Sequence, residues 1–116
     1  MEHRYYPRVK VSLKVDLFKR DKLIGRAFTK DVSLGGMLIQ NNCLALSRND
    51  VITLKVWLDG VEQVVRCLVV HTSLHSIGVM LIDMSTDVKY EIFNYLKGKE
   101  VPLRDALREL DYAHKL

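Results

Sequence analysis

Short runs in which apolar and polar residues alternate constrain the fold of this chain more than any other feature. Residues 9–17 place five apolar side chains on one side and polar side chains on the other. This period of two is typical of a half-buried β-strand. Asp59-Gly60 is the strongest hairpin signal, and it joins an apolar strand at 51–58 to a partner at 61–70. Neighbouring strands are therefore expected to pair in antiparallel fashion.

The remaining strands are predicted at about 23–33, from 37 onward and at 77–82. A polar turn at 19–22 and a break at Gly35-Gly36 separate the earlier strands from one another. Six strands at short, regular spacing predict a small antiparallel barrel. A chain of 116 residues is long enough for one domain with one core.

The end of the chain has helical spacing. Ser85, Thr86 or Asp87 can cap a helix that stops near Gly98. One face of this helix is predicted to carry Val88, Ile92, Phe93 and Leu96. Pro102 suits the first turn of a second helix. The apolar stripe of that second helix is Leu103, Ala106, Leu107 and Leu110. The stripe either folds back onto the barrel or meets a second protomer or a partner protein, so a homodimer is one expectation.

Positive charge is concentrated in the first quarter of the chain. Residues 1–30 hold nine Lys or Arg against three acids, whereas residues 31–116 hold nine against eleven. An anionic partner near the N-terminus accounts for this distribution, and so does a solvated basic strand face. A dinucleotide, a polynucleotide and an acidic membrane all remain open on charge alone.

The sequence shows no organised set of catalytic or metal-binding residues and no secretion signal. Cys67, His71 and His75 share strand parity but have no fourth ligand nearby, so we expect no metal site. No nucleophile or base has a supporting motif, so we expect no catalytic residues and no enzyme. The first residues lack an apolar run, and no stretch is long enough to span a membrane. With Cys43 and Cys67 expected to be reduced, these features predict a cytoplasmic protein without membrane insertion.

Two motifs carry residue types that suit a guanine nucleotide. Arg4 and Arg8 stand with three residues between them, and Asp31, Ser33 and Gly36 follow at the spacing D-x-S-x-x-G. An arginine can fork onto O6 and N7 of a guanine or pair with a phosphate, and a carboxylate can accept from guanine N–H groups. Glycines and a small hydroxyl let backbone N–H groups approach an anion closely.

In this order and at this separation, the two motifs resemble the signature of PilZ domains, the bacterial receptors for the second messenger cyclic di-GMP. The resemblance covers about residues 4–98 and includes the strand at 77–81 followed by a capped helix. It implies a mainly β protein, a six-stranded antiparallel PilZ-type β-barrel with a flexible N-terminal arm and C-terminal helices. It also implies a cyclic di-GMP site. The site residues carried over are Arg4, Arg8, Asp31, Ser33, Gly35 and Gly36, of which Gly35 lies in the turn without being a motif position.

The resemblance divides the chain into three parts. Residues 1–8 form the ligand-binding arm, residues 9–98 the barrel with its C-terminal helix, and residues 99–116 an additional terminal helix. Many family members carry a further arginine where His3 stands here. One nucleotide and a stacked pair of nucleotides therefore both remain open.

Three functions from different classes are consistent with these features. The leading interpretation is a single-domain cyclic di-GMP receptor or adaptor whose N-terminal arm changes conformation on binding and which signals through contacts with a downstream protein. The second is a PilZ-like interaction module with weak or no nucleotide binding. The third is a basic barrel that binds single-stranded nucleic acid. It is disfavoured because the outer face of the first strand offers Lys10, Ser12 and Lys14 but no aromatic ring, so we expect no DNA partner.

Overall fold

The computed structural model describes residues 8–40 and 45–99, and these form six β-strands and one α-helix. The elements are β1 (Lys14–Lys19), β2 (Lys22–Val32), β3 (Gly36–Gln40), β4 (Val51–Leu58), β5 (Val61–Thr72), β6 (Ser76–Asp83) and α1 (Thr86–Lys99). The strands close into a barrel in the order β1-β2-β3-β6-β5-β4, and all neighbouring pairs are antiparallel. Closure pairs each strand on both sides. The predicted six-stranded antiparallel barrel is confirmed.

Two tight hairpins set the register of β1 with β2 and of β4 with β5. The turns at 20–21 and 59–60 have positive φ at both central residues, with values of 52°, 65°, 51° and 82° in chain order. This is the backbone geometry of type I′ turns, whose twist matches that of the flanking strands. The hairpin predicted at Asp59-Gly60 is confirmed, and β4 has the predicted bounds. Its partner β5 continues two residues beyond the predicted end, to Thr72.

The first strand begins later than the alternation predicts. Val9 makes an isolated bridge to Val32, and the continuous strand starts only at Lys14. Between them, the buried hydroxyl of Thr29 accepts a hydrogen bond from the N–H of Leu13 at 2.8 Å and donates to the carbonyl of Val11. The Thr29 side chain thus bonds to backbone groups of Val11 and Leu13 that a regular strand would pair with backbone groups of its neighbour. The segment before β1 is therefore attached to β2 without being a regular strand.

The barrel interior is filled by the inward residues of every strand. Twenty hydrophobic residues of the described chain are buried in one cluster. Fully buried members include Val15, Leu17, Ile39, Leu54, Val56, Cys67 and Val69. Burial of each large aliphatic side chain contributes roughly 1.5–3 kcal/mol. Burial also raises the pKa of the Cys67 thiol to about 12, so this group stays protonated at neutral pH.

Helix α1 begins at a serine cap and covers part of the barrel. The hydroxyl of Ser85 accepts from the N–H of Val88 at 3.2 Å, so Ser85 is the residue that caps the helix. Ile92 and Leu96 are buried against the core, as predicted. The assignment of Phe93 to the same face is wrong, since Phe93 is 46% exposed. It lies one residue, about 100° of helical rotation, from Ile92.

Several expectations fall outside the described residues. They concern Cys43, residues 1–7 of the proposed arm, and the second helix that begins near Pro102. The helix α1 is described as far as Lys99, one residue beyond Gly98, near which the sequence predicts its end. In the described part of the chain, no helix is both long enough and apolar enough to cross a membrane.

Candidate ligand-binding site

One buried hydroxyl holds the turn between β2 and β3. Ser33 is 5% exposed, and its Oγ accepts hydrogen bonds from the N–H groups of Gly35 and Gly36, both at 3.1 Å. The N–H of Ser33 donates to the carbonyl of Gly36 at 2.8 Å. The two glycine N–H groups are therefore used inside the turn. An anion that approached them would have to share them with Ser33 Oγ or displace it.

Gly36 has a steric reason to be glycine. A Cβ at this position would lie 2.4 Å from the carbonyl oxygen of Val79 on β6, too close for any other residue without movement of the backbone. The N–H of Leu81 also donates to the carbonyl of Gly35 at 3.0 Å. The turn is thus fastened to β6. The glycine of the D-x-S-x-x-G spacing is required by the fold whether or not a ligand binds.

A bulge in β2 sets the position of Asp31. The register between β2 and β3 shifts between Thr29 and Asp31, so Lys30 is the extra residue. A bulge of this kind redirects the side chains that follow it. Asp31 is half-buried and stands opposite Leu38 on β3, two residues before Ser33.

Arg8 and Asp31 form the contact that unites the two sequence motifs. A guanidinium nitrogen of Arg8 donates to a carboxylate oxygen of Asp31 at 2.8 Å, across 23 positions of sequence. The neighbouring residues reinforce the contact, because Val9 and Val32 exchange two backbone hydrogen bonds of 2.9 Å. The base of the N-terminal segment is therefore placed beside the β2–β3 turn. The two side chains keep exposed fractions of 36% and 20%, so a ligand can reach both.

The pair combines the groups that a guanine nucleotide needs. A guanidinium has five N–H donors, and its contact with Asp31 uses one of them. Arg8 can therefore make further forked contacts with a base edge or a phosphate. Asp31 can accept from guanine N–H groups, which adenine does not present in the same arrangement. Each group at present offsets the charge of the other, so an anionic ligand would compete with Asp31 for Arg8.

The structure brings together five of the six predicted site residues. Arg8, Asp31, Ser33, Gly35 and Gly36 lie at one end of the barrel, at the β2–β3 turn and the segment before β1. The sixth, Arg4, lies outside the described residues, as do Tyr5 and Tyr6, so its place beside the ligand stays a prediction.

Cys67 and His71 were expected to share a strand face, and the structure shows that they do not. Cys67 points into the core, whereas a register shift between Val69 and His71 leaves His71 exposed. Within residues 8–40 and 45–99, no three His, Cys, Asp or Glu side chains cluster in a way that could hold a metal ion.

Sequence reasoning missed a group of aromatic and basic residues on the outside of β1, β2 and β4. The ammonium of Lys14 lies 5.2 Å from the ring centre of Trp57, and that of Lys55 lies 5.0 Å from the ring centre of Phe18. Phe28 stands opposite Lys14 and is 55% exposed. The sequence does indicate that each ring lies at an outward position, because it alternates with the buried residues of its own strand. Strand order then had to place those strands side by side.

The closed barrel and its one helix define a class, the small antiparallel β-barrel domains. The model of the PilZ domain family matches residues 2–98, and the chain belongs to this family. A search of curated proteins found no match.

Solved structures show the same fold. The PilZ domain of CeSA from a cellulose-synthesizing bacterium has a TM-score of 0.68 and 18% identity, over 79% of this chain and 96% of that one. The Bacillus subtilis inhibitor of motility (MotI/DgrA) has a TM-score of 0.68 and 14% identity, with 82% and 49% covered. The Borreliella burgdorferi PlzA protein in complex with c-di-GMP has a TM-score of 0.64 and 13% identity, with 81% and 41% covered. The chain spans less than half of the last two proteins.

Proposed function

We propose that this chain is a non-catalytic cyclic di-GMP receptor that acts as an adaptor. The observation that carries the proposal is the 2.8 Å contact between Arg8 and Asp31, which joins the two motifs at one exposed place on the barrel. Membership of the PilZ family supports the same ligand, and PlzA, a protein of similar fold, has been solved with c-di-GMP bound.

Binding is proposed to exchange an internal ion pair for contacts with the ligand. Arg8 donates to a phosphate or to a guanine edge, and Asp31 accepts from guanine N–H groups. Ser33, Gly35 and Gly36 hold the turn against β6, so that Asp31 is presented from a rigid support. Arg4 is proposed to supply the second guanidinium.

The N-terminal arm is proposed to transmit the signal. Its base is attached to β2 through the backbone hydrogen bonds between Val9 and Val32. Ordering of residues 1–8 over the ligand would change the surface that a downstream protein in the cytoplasm contacts. Slower amide exchange in this segment with cyclic di-GMP present is the expected result, and exchange that is the same with and without ligand would contradict it.

Isothermal titration of cyclic di-GMP into the full chain tests the receptor proposal and counts nucleotides per protomer. Arg8→Ala and Asp31→Ala should each weaken binding by about 2 kcal/mol or more, the usual range for hydrogen bonds to charged groups. That loss corresponds to roughly 30-fold in the dissociation constant. Arg48→Ala, at an exposed loop position, is the matched control and should bind as the parent does.

Two outcomes would contradict the proposal. The first is parent-like affinity in both site variants, and the second is an Asp31→Ala loss that is no larger for cyclic di-GMP than for its adenine analogue. A folded parent chain that does not bind the nucleotide would favour the alternative, a PilZ-like module that works through protein contacts alone. Circular dichroism of each variant separates lost binding from lost folding.

A further inference from the structure

The outer surface of β1, β2 and β4 combines cations with two rings, one exposed and one half-buried. We call it the aromatic–basic face and define it by Lys14, Arg26, Phe28, Lys30, Lys55 and Trp57. These residues come from three strands that are adjacent in the closed barrel. We propose that this face binds single-stranded nucleic acid.

The ring of Phe28 has the surroundings of a base-stacking platform. It is 55% exposed on β2, with Lys14 directly opposite on β1 and Gln40 directly opposite on β3. Along β2 itself, the exposed side chains two positions away on either side are Arg26 and Lys30. A base stacked on this ring would therefore have cations within reach of its flanking phosphates.

A second ring lies one strand beyond Lys14. Trp57 on β4 is half-buried, and the ammonium of Lys14 sits 5.2 Å from its ring centre. Phe28 and Trp57 flank β1, so they are separated by roughly 10 Å, twice the strand spacing. Two rings with a cation between them match successive bases with a phosphate between them.

Charge on the aromatic–basic face favours a polyanion. Four of the six residues that define the face are cations, and one carboxylate, Asp16, lies among them. Asp16 is only 8% exposed, lies 3.6 Å from the guanidinium of Arg26, and stands in register between Arg26 and Lys55. Glu62, at the border of the face on β5, pairs with Lys55 at 3.1 Å. Lys14 and Lys30 form no ion pair with a carboxylate of the described residues.

An acidic protein is the competing occupant, and the arrangement of residues favours nucleic acid over it. The centres of protein interfaces are depleted of charged residues and rich in contiguous apolar surface. Phe28 instead has cations at three of its four neighbouring positions, Arg26, Lys30 and Lys14. The outer face of the first strand offers no ring at residues 10–14, and the two rings of the aromatic–basic face come from β2 and β4.

Fluorescence anisotropy tests the proposal with labelled oligo(dT) and oligo(U) of about 12 nucleotides, a length within the usual site size. In salt of about 0.05 M, both oligonucleotides should bind saturably. A comparison of their affinities shows whether the protein distinguishes ribose from deoxyribose. The affinity should fall as salt rises, with a log–log slope of about −2 to −3 if three or four cations contact phosphates. Lys14→Ala should reduce the magnitude of that slope by about 0.7, whereas Lys89→Ala on α1 should not.

Variants of Phe28 test whether base stacking on its ring contributes to binding. Phe28→Ala should weaken binding by about 5-fold or more, because stacking on an aromatic ring is lost, and Phe28→Tyr should retain binding. Tyr90→Ala removes a ring that is also exposed, 63% accessible on α1, and should have no effect. Phe28 is exposed, so its variants are expected to keep the parent's melting temperature.

Three results would overturn the proposal. They are no saturable binding of either oligonucleotide at low salt, parent-like affinity in Phe28→Ala, and equal competition by polyglutamate or by duplex DNA at the same charge concentration. Equal competition would show that charge alone is recognised, and polyglutamate would then point to an acidic protein partner. A negative cyclic di-GMP titration would leave this proposal intact, since the face includes neither Arg8 nor Asp31.

Discussion

Replacement of Gly36 by alanine tests whether the glycine of the turn is required by the barrel itself. Gly36 stands opposite Met80 in the β3–β6 pair, and an added Cβ would lie 2.4 Å from the carbonyl oxygen of Val79. Real Cβ atoms essentially never approach another atom closer than 3.0 Å, so the two strands would have to separate locally by about 0.6 Å. The obstacle is backbone in a closed barrel and cannot rotate away as a side chain would.

The expected magnitude follows from this geometry. Overpacking of a well-packed interior usually costs about 1–3 kcal/mol, and an obstacle made of backbone places Gly36→Ala at roughly 2 kcal/mol or above. For a domain of this size, that corresponds to a fall of about 8 °C in the melting temperature. Thermal unfolding followed by circular dichroism measures the change, and urea unfolding gives the free energy directly.

Gly98→Ala is the matched control. Gly98 lies in α1, and a Cβ there would meet no atom of the described residues within 4 Å. Alanine is favoured over glycine in a helix by up to about 1 kcal/mol, so this variant should melt at or slightly above the parent temperature. If Gly36→Ala melts with the parent or with Gly98→Ala, the steric account is refuted. Gly36 would then be a residue needed for the ligand alone.

Two further variants probe the segment before β1 and the barrel interior. Thr29→Val keeps the shape of the side chain but leaves the buried N–H of Leu13 without its 2.8 Å acceptor, so it should destabilise the fold by about 1–3 kcal/mol in urea unfolding. Thr72→Val, at an exposed position, should change stability little, and equal effects of the two would contradict the role of Thr29. In a Cys43→Ser background, Cys67 should react with a thiol reagent only as fast as the protein opens, because it is fully buried and its pKa is raised to about 12. Rapid reaction of the native protein at neutral pH would show that the core around Cys67 is not closed.

Local patterns in the sequence determined most of the barrel. Alternation fixes which side of a strand is apolar, and Asp59-Gly60 determines its own turn because both residues tolerate positive φ. The bounds of β4 and the burial of Ile92 and Leu96 in α1 were predictable because they too follow from periodic spacing of apolar residues within one element. The two motifs were visible from their spacing, and the family resemblance that they suggested is confirmed.

Tertiary structure decided what depends on neighbours that are distant in the chain. β1 starts late because the hydroxyl of Thr29 accepts from the N–H of Leu13 and donates to the carbonyl of Val11, which are 16 and 18 positions away in the chain. The meeting of Arg8 with Asp31 requires the backbone pairing of Val9 with Val32. The aromatic–basic face exists only because barrel closure places β1 between β2 and β4. Periodicity within one strand reports which way a side chain points, and a tight turn fixes the register of its own hairpin. The partners of strands that are distant in the chain are set by strand order in the closed barrel.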